Sequence, residues 1–255
     1  MTTIRVVRGV IGAFAAAALA ETLTRIGVVD VAPFSEVLVE FVALAADPAF
    51  LLNAADTIMA WGLGLLLATV VAVVLGVLLG TLPFLNRACR VVVEFLRPIP
   101  SVALIPLAIL LFGSGTEMKV SLIFYAATWP ILLNTLYALR DVDPLAKDAL
   151  RGFGFGPLAV LWRVSLPSAA PFVATGVRVS AGIALVVVIA AELFSGGESG
   201  IGVTLIEARS SGGSTAVMLA VAVWAGLFGL LVNGLLVHAE RRLFRWHAAR
   251  TGALT

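Results

Sequence analysis

The strongest constraint on this chain is that its apolar residues fall in six continuous runs, each about as long as a helix that crosses a bilayer. The runs are 9–29, 58–80, 91–112, 120–139, 172–194 and 215–237. A hydrocarbon core of about 30 Å takes roughly 20 helical residues. Lipid offers no partner for backbone N–H and C=O groups, so a spanning segment must satisfy them itself or join a closed barrel. Continuous runs, rather than apolar residues at every second position, select helices. The predicted fold is therefore an all-α membrane protein with six transmembrane helices, in one domain over residues 1–255.

Composition agrees. The chain is 61% hydrophobic and 13% charged, with mean hydropathy +1.09, against about half and a quarter in soluble domains. A net charge of +2 without a basic patch gives no footing for nucleic acid. The sole cysteine, Cys89, excludes an internal disulfide, and His238 and His247 are too few and too far apart for a metal centre.

Basic residues set the predicted orientation. Of seventeen Lys and Arg, all but Arg25, Lys119 and Arg209 fall on one side of the six-span arrangement, which makes that side cytoplasmic. Both termini, the 82–90 turn and the 140–171 loop then face the cytosol, and membrane lipid surrounds the spans. The first run is interrupted by Glu21 and Arg25. Arg5, Arg8, an alanine-rich core and Ala18-Leu19-Ala20 also fit a cleavable signal peptide. A retained helix is the preferred reading, because Glu21 and Arg25 are four apart and can pair near its outer end. Beyond it, Ser35 is the predicted N-cap of a short helix that Asp47-Pro48 stops. Glu36 and Glu40 on that helix form a solvated face or an external docking surface.

Residues 143–171 are a polar island between two spans, longer than a simple connection needs. Asp143-Pro144 is a helix start, since the carboxylate caps free N–H groups and proline suits the first turn. Leu145, Ala149, Leu150 and Phe153 make an apolar stripe, while Lys147, Asp148 and Arg151 cover the other face. Gly154 is a left-handed stop. Gly156-Pro157 begins a second helix that Leu166-Pro167 is predicted to end, and Pro171 opens the next span. Physics alone also permits an amphipathic hairpin resting on headgroups.

Polar residues inside the runs are read individually. Pro98, Pro100 and Pro106 must break or kink the third run. Broken helices line substrate paths in many transporters, so Arg97 and Ser101 are candidates to line a translocation path. Arg97 also follows Glu94 by three residues and can pair with it or snorkel. Arg178 is predicted to snorkel, and Glu192 to sit at a hydrated outer rim. Thr128, Asn134, Thr135, Thr175 and Ser180 are read as interhelical hydrogen bonds, with Thr128 and Asn134 kept as further path candidates. Gly62, Gly64, Gly76 and Gly80 allow close helix approach. Residues 195–214 are expected to be flexible or partly re-entrant near the outer face, and the tail 240–250 to anchor at headgroups.

The island resembles the cytoplasmic "EAA" loop of binding-protein-dependent ABC importer permeases. That loop has an acid, two small residues, a glycine six positions after the acid, and Leu-Pro thirteen after the glycine. Here the positions are Asp148, Ala149, Leu150, Gly154, Leu166 and Pro167, with Asp in place of Glu and Leu in place of the second Ala. Residues 95–107, 112–113, 129–135, 191–194, 200–202 and 240–246 are similar to the nitrate/sulfonate/taurine branch of that family.

The resemblance implies a type I ABC importer permease fold with a cytosolic coupling helix, in a bacterial inner membrane. It implies a second permease copy, two cytosolic ABC ATPase subunits and an extracytoplasmic substrate-binding protein as partners. The ATPases would dock on Asp148, Ala149, Leu150, Arg151, Gly154 and Pro167. ATP and magnesium would belong to them, leaving this chain without a cofactor or catalysis of its own. The absence of G-x-x-x-x-G-K-[ST] agrees with that division. The solute implied is small and anionic, and Glu192 becomes a candidate external gate, dimer contact or path residue. The alternative is an ion-coupled secondary transporter or channel, which would need a carboxylate relay. Only Glu21, Glu94 and Glu192 lie within or at the edges of the runs. A membrane enzyme would need a catalytic cluster, and no grouping of His, Asp, Glu and Cys supplies one.

Overall fold

In a computed structural model of the chain, the residues described are 12, 15, 17–19, 21–28, 31–197, 199–210 and 214–245. Among them the secondary structure is helical, without a strand. Of the expected first span, 9–29, residues 9–11, 13, 14, 16, 20 and 29 lie outside the described residues. Within it, Glu21 accepts from Arg25 Nε at 2.7 Å. The same carboxylate accepts from the backbone N–H and hydroxyl of Ser35 at 3.0 and 2.9 Å. Ser35 is therefore not the N-cap of α1 (Phe34–Ala46). Pro33 holds that position without a side-chain bond, and Glu21 satisfies the free N–H instead.

Asp47 ends α1 and caps α2 (Pro48–Thr81) by accepting from Ala49 N at 3.0 Å, with Pro48 in the first turn. Because this cap comes early, α2 starts ten residues before the expected 58–80 run. α3 (Pro83–Leu96) and a 3₁₀ turn at Ser101–Leu104 leading into α4 (Ile105–Phe112) form one broken unit, bent by 82°. The break falls at the Arg97–Pro100 step that the prolines mark. α5 (Thr116–Arg140) follows, then the short α6 (Pro144–Gly152), α7 (Pro157–Ser195), α8 (Ile201–Ser210) and α9 (Thr215–Leu243). Four of these, α2, α5, α7 and α9, are long and apolar enough to cross a membrane, and the bent α3–α4 pair can count as a fifth.

Two expectations about helix ends give way. Leu166-Pro167 does not terminate a helix, and Pro171 does not open one. α7 runs unbroken for 39 residues, with a π-helical turn at Leu161–Ser165 just ahead of Pro167. A wider turn tolerates the missing proline N–H, so the local breaking rule loses to continued packing. Within 195–214, expected to be flexible or partly re-entrant, residues 201–210 form α8, and Ile201 is buried among Val37, Phe50, Ala220 and Val221.

α5 is the most enclosed helix and packs against both α2 and α7. The cause on α2 is a ladder of small residues every fourth position: Ala60, Gly64, Ala68, Ala72, Gly76 and Gly80. Without much side chain between them, backbones approach closely and dispersion contacts multiply. A Cβ at Gly64 would stand 2.6 Å from Ile123, and one at Gly76 would stand 2.7 Å from Thr135. Gly62, grouped with these from the sequence, has nothing within 4 Å and takes no part. We expect Gly76→Leu to cost about 1–3 kcal/mol by overpacking, read as a lower thermal midpoint in detergent. Gly62→Leu should stay within about 0.5 kcal/mol of the parent.

Candidate coupling hairpin and buried polar network

The α6 hairpin is specified residue by residue. Asp143 Oδ1 accepts from Leu145 N at 2.9 Å and Pro144 occupies the first turn. At the other end Gly154 adopts φ +84°, where an L side chain is disfavoured. Phe155 N donates to Leu150 O at 3.2 Å and Gly154 N to Arg151 O at 2.9 Å, the paired bonds of a Schellman stop. Arg163 stacks over the Phe155 ring at 4.8 Å, holding the turn from the α7 side. Lys147 Nζ donates to Leu139 O at 3.3 Å and ties α6 to the end of α5.

What this hairpin presents is open surface. No residue of α6 is buried. Leu145 is 75% exposed and Phe153 83%, and Asp148, Ala149 and Arg151 are exposed as well. Leu150 is half-buried at the Schellman stop, and Pro167 is exposed on α7 beyond the π-turn. Asp148 and Arg151 pair at 2.9 Å, but solvent screening leaves such a contact worth little for stability. The apolar stripe read from the sequence is thus not used by the chain's own core.

A second constellation lies at the opposite end of the bundle. Glu192, predicted at a hydrated rim, is fully buried. Its carboxylate accepts from Lys119 Nζ at 3.0 Å, Thr57 Oγ1 at 2.8 Å and Gly202 N at 3.0 Å. Lys119 is only 2% exposed and also donates to Ser199 O at 2.7 Å. Asn53 continues the network, accepting from Gly200 N at 3.1 Å and donating to Thr204 Oγ1 at 3.0 Å. A carboxylate out of water needs such partners, because an unpaired buried charge is severely penalised. Gly200 and Gly202 make room for it: a Cβ on either would fall within 2.6 Å of Glu192 atoms. Lys119, Thr57 and Asn53 escaped the sequence reading. The signal that could have found the site is Gly-Ile-Gly at 200–202, which marks close backbone approach, next to an acid at a span end.

The remaining path candidates separate. Arg97 and Ser101 flank the break after α3, with Arg97 exposed. Thr128 Oγ1 donates to Phe124 O at 2.6 Å and Asn134 Nδ2 to Pro130 O at 2.8 Å. These bonds, and that of Thr135 to Ile131 O at 2.7 Å, stay within α5 rather than crossing between helices. Ser180 does cross, donating to Ala127 O at 2.8 Å, as does Thr175 to Glu240 Oε1 at 3.0 Å. Arg178 lies 3.5 Å from Glu240 instead of snorkelling freely.

Residues 64–245 match the family described as the binding-protein-dependent transport system inner membrane component. A protein of Methanocaldococcus jannaschii named as an ABC transporter permease is 36% identical over 72% of this chain and 68% of its own length. The nitrate import permease protein of Leptolyngbya laminosa is 30% identical over 68% of this chain and 61% of its own. The taurine transport system permease protein of Escherichia coli is 31% identical over 72% and 66%. The chain thus spans roughly two-thirds or less of the length of these relatives. A chain of the MetNI methionine ABC transporter, solved in inward-facing conformations, superposes with TM-score 0.64 at 20% identity, covering 73% of this chain and 92% of that one. That likeness concerns the fold. The family match takes in most of the chain, including the α6 hairpin and Lys119, Glu192 and Gly202 of the buried network, so this multi-pass membrane protein belongs to the binding-protein-dependent transport system inner membrane components.

Proposed function

We propose that this chain is the permease subunit of an ATP-driven importer, and that it forms the path for a small solute bearing an anionic oxygen group. The observation that carries this reading is the exposed, rigidly capped α6 helix, whose apolar stripe is left open at Leu145, Ala149 and Phe153. A helix so well terminated and so little buried is suited to dock in a cleft of another protein. The partner is a separate ATPase subunit that holds ATP and magnesium, supplying the phosphate chemistry for which this sequence has no loop. Two copies of this chain would pair, each gripped at α6 by one ATPase. ATP-driven closure of the ATPases would bring the two α6 helices together and rock the spans from inward-open to outward-open. Solute then arrives from an external binding protein, and hydrolysis resets the assembly. The Lys and Arg distribution supports placing the hairpin and both termini in the cytosol of a bacterial cell, with the Glu192 network facing out. The nitrate and taurine relatives support an oxyanion-bearing solute.

The test is ATP hydrolysis by the reconstituted permease–ATPase complex, stimulated by a loaded binding protein. Gly154→Pro cannot hold φ +84°, because proline fixes φ near −65°. Asp148→Lys reverses the charge of an exposed contact residue. Each should insert normally and lose stimulation more than tenfold. Parent-like stimulation in both would reduce the hairpin to a surface feature. Uptake that persists after cytosolic ATP is removed would favour the ion-coupled alternative.

A further inference from the structure

A cavity of about 1070 Å³ opens between α3 and the C-terminal half of α5. Four arginines line it, Arg87, Arg90, Arg97 and Arg140, against a single acidic residue, Glu94. Glu94 is already engaged by Arg90 Nε at 2.7 Å. Arg87 Nε reaches only the Pro83 carbonyl, at 3.4 Å. Arg87, Arg97 and Arg140 therefore face the cavity without an acidic partner among the described residues.

The arrangement follows from helical spacing. Positions 87, 90, 94 and 97 fall three, four and three apart, on one face of α3 and its continuation. An adjoining face carries Phe84, Val91 and Phe95, each more than 70% exposed, while Leu85 and Cys89 on the far side pack against the core. The charged face of α3 is the one that borders the hollow. A general excess of arginine at this end of the spans would account for headgroup anchoring. It does not account for four arginines converging on one concavity whose floor is Leu79, Leu133 and Leu136. Low-dielectric walls around like charges focus the potential and raise the local concentration of counter-ions. Guanidinium groups are planar forks that match oxyanions with two parallel hydrogen bonds.

We propose that this hollow is an anion-binding vestibule on the hairpin side of the chain, taking free small oxyanions of the sulfate, sulfonate or carboxylate class. The proposal rests on the importer-permease reading and deepens it, giving the solute a last station before release. Arg140 lies three residues before Asp143, the cap of α6. Occupancy of the vestibule is thereby placed next to the element that the ATPase would grip.

Inorganic sulfate is a sufficient probe. The permease–ATPase complex is placed in nanodiscs of phosphatidylcholine alone, and bound radiolabelled sulfate is measured by equilibrium dialysis at constant ionic strength. Saturable binding is expected, weakened at least tenfold by Arg97→Gln or Arg140→Gln and lost in the double variant. Arg241→Gln, outside the cavity, should bind as the parent does. Non-saturable binding, or equal loss in Arg241→Gln, would show diffuse surface charge and overturn the proposal. A second arm adds phosphatidylglycerol and follows retained lipid by native mass spectrometry. Retention that depends on Arg97 and Arg140, with no sulfate bound in phosphatidylcholine, would assign the cavity to a lipid headgroup and equally overturn it. ATPase stimulation is recorded on the same preparations. Coupled hydrolysis without sulfate binding removes the vestibule alone, whereas sulfate binding without coupling in the parent removes the importer reading.

Discussion

Lys119→Met is expected to lower the free energy of unfolding by about 3–5 kcal/mol, because it leaves the Glu192 carboxylate buried without its cation. Glu192 has no exposure to fall back on, and its remaining donors are Thr57 Oγ1 and Gly202 N. The methionine fills most of the lysine volume, so a cavity contributes little to the loss. Adding Glu192→Gln to Lys119→Met should recover much of it, since the amide still accepts from Thr57 and Gly202 and brings no charge. Unfolding of the detergent-solubilised protein by sodium dodecyl sulfate, followed by helicity, gives both values. A double variant no better than Lys119→Met would show that the pair matters for shape rather than charge.

Gly202→Val should detach α8 from the bundle. The added Cβ would lie 2.6 Å from Ile189 O and 2.8 Å from Leu193 N, backbone atoms of α7 that cannot swing aside, and 2.6 Å from Glu192 Cβ. Relief requires the 199–204 segment to lift. That motion breaks the bonds of Gly202 N to Glu192, of Ile201 N to Thr57 Oγ1 at 2.9 Å, and of Gly200 N to Asn53. Amide hydrogen exchange across 199–210 should rise more than tenfold, while exchange in the α2–α5 contact remains as in the parent. Unchanged protection of 199–210 would mean that the turn has slack the packing does not reveal.

Local features were legible and distant partnerships were not. Asp143, Pro144 and Gly154 specify the α6 helix through capping and left-handed backbone, which depend on neighbours a few positions away. Gly64, Gly76 and Gly80 on α2 predict close approach in the same way, although Gly62 shows that composition without the correct face is insufficient. Lys119 and Glu192 are 73 residues apart, so no periodicity joins them. An acid at a span end reads as hydrated until the fold brings a cation and a glycine turn over it. Arg178 and Glu240 illustrate the same blindness across 62 positions. The failure at Pro167 is of another kind. Proline breaks an ideal α-helix, and a single widened turn removes the conflict.

That widened turn has a mechanical consequence. α7, from Pro157 to Ser195, is one connecting rod, with its soft joint at the π-turn and the two prolines close to the hairpin end. Counting from Pro171 at 1.5 Å per residue, Glu192 lies about 30 Å beyond the joint, so a swing of about 10° there would move it by about 5 Å. A hydrogen-bonded lock with spacings near 3 Å cannot absorb such travel. It must either open or carry Lys119 and Thr57 along with it.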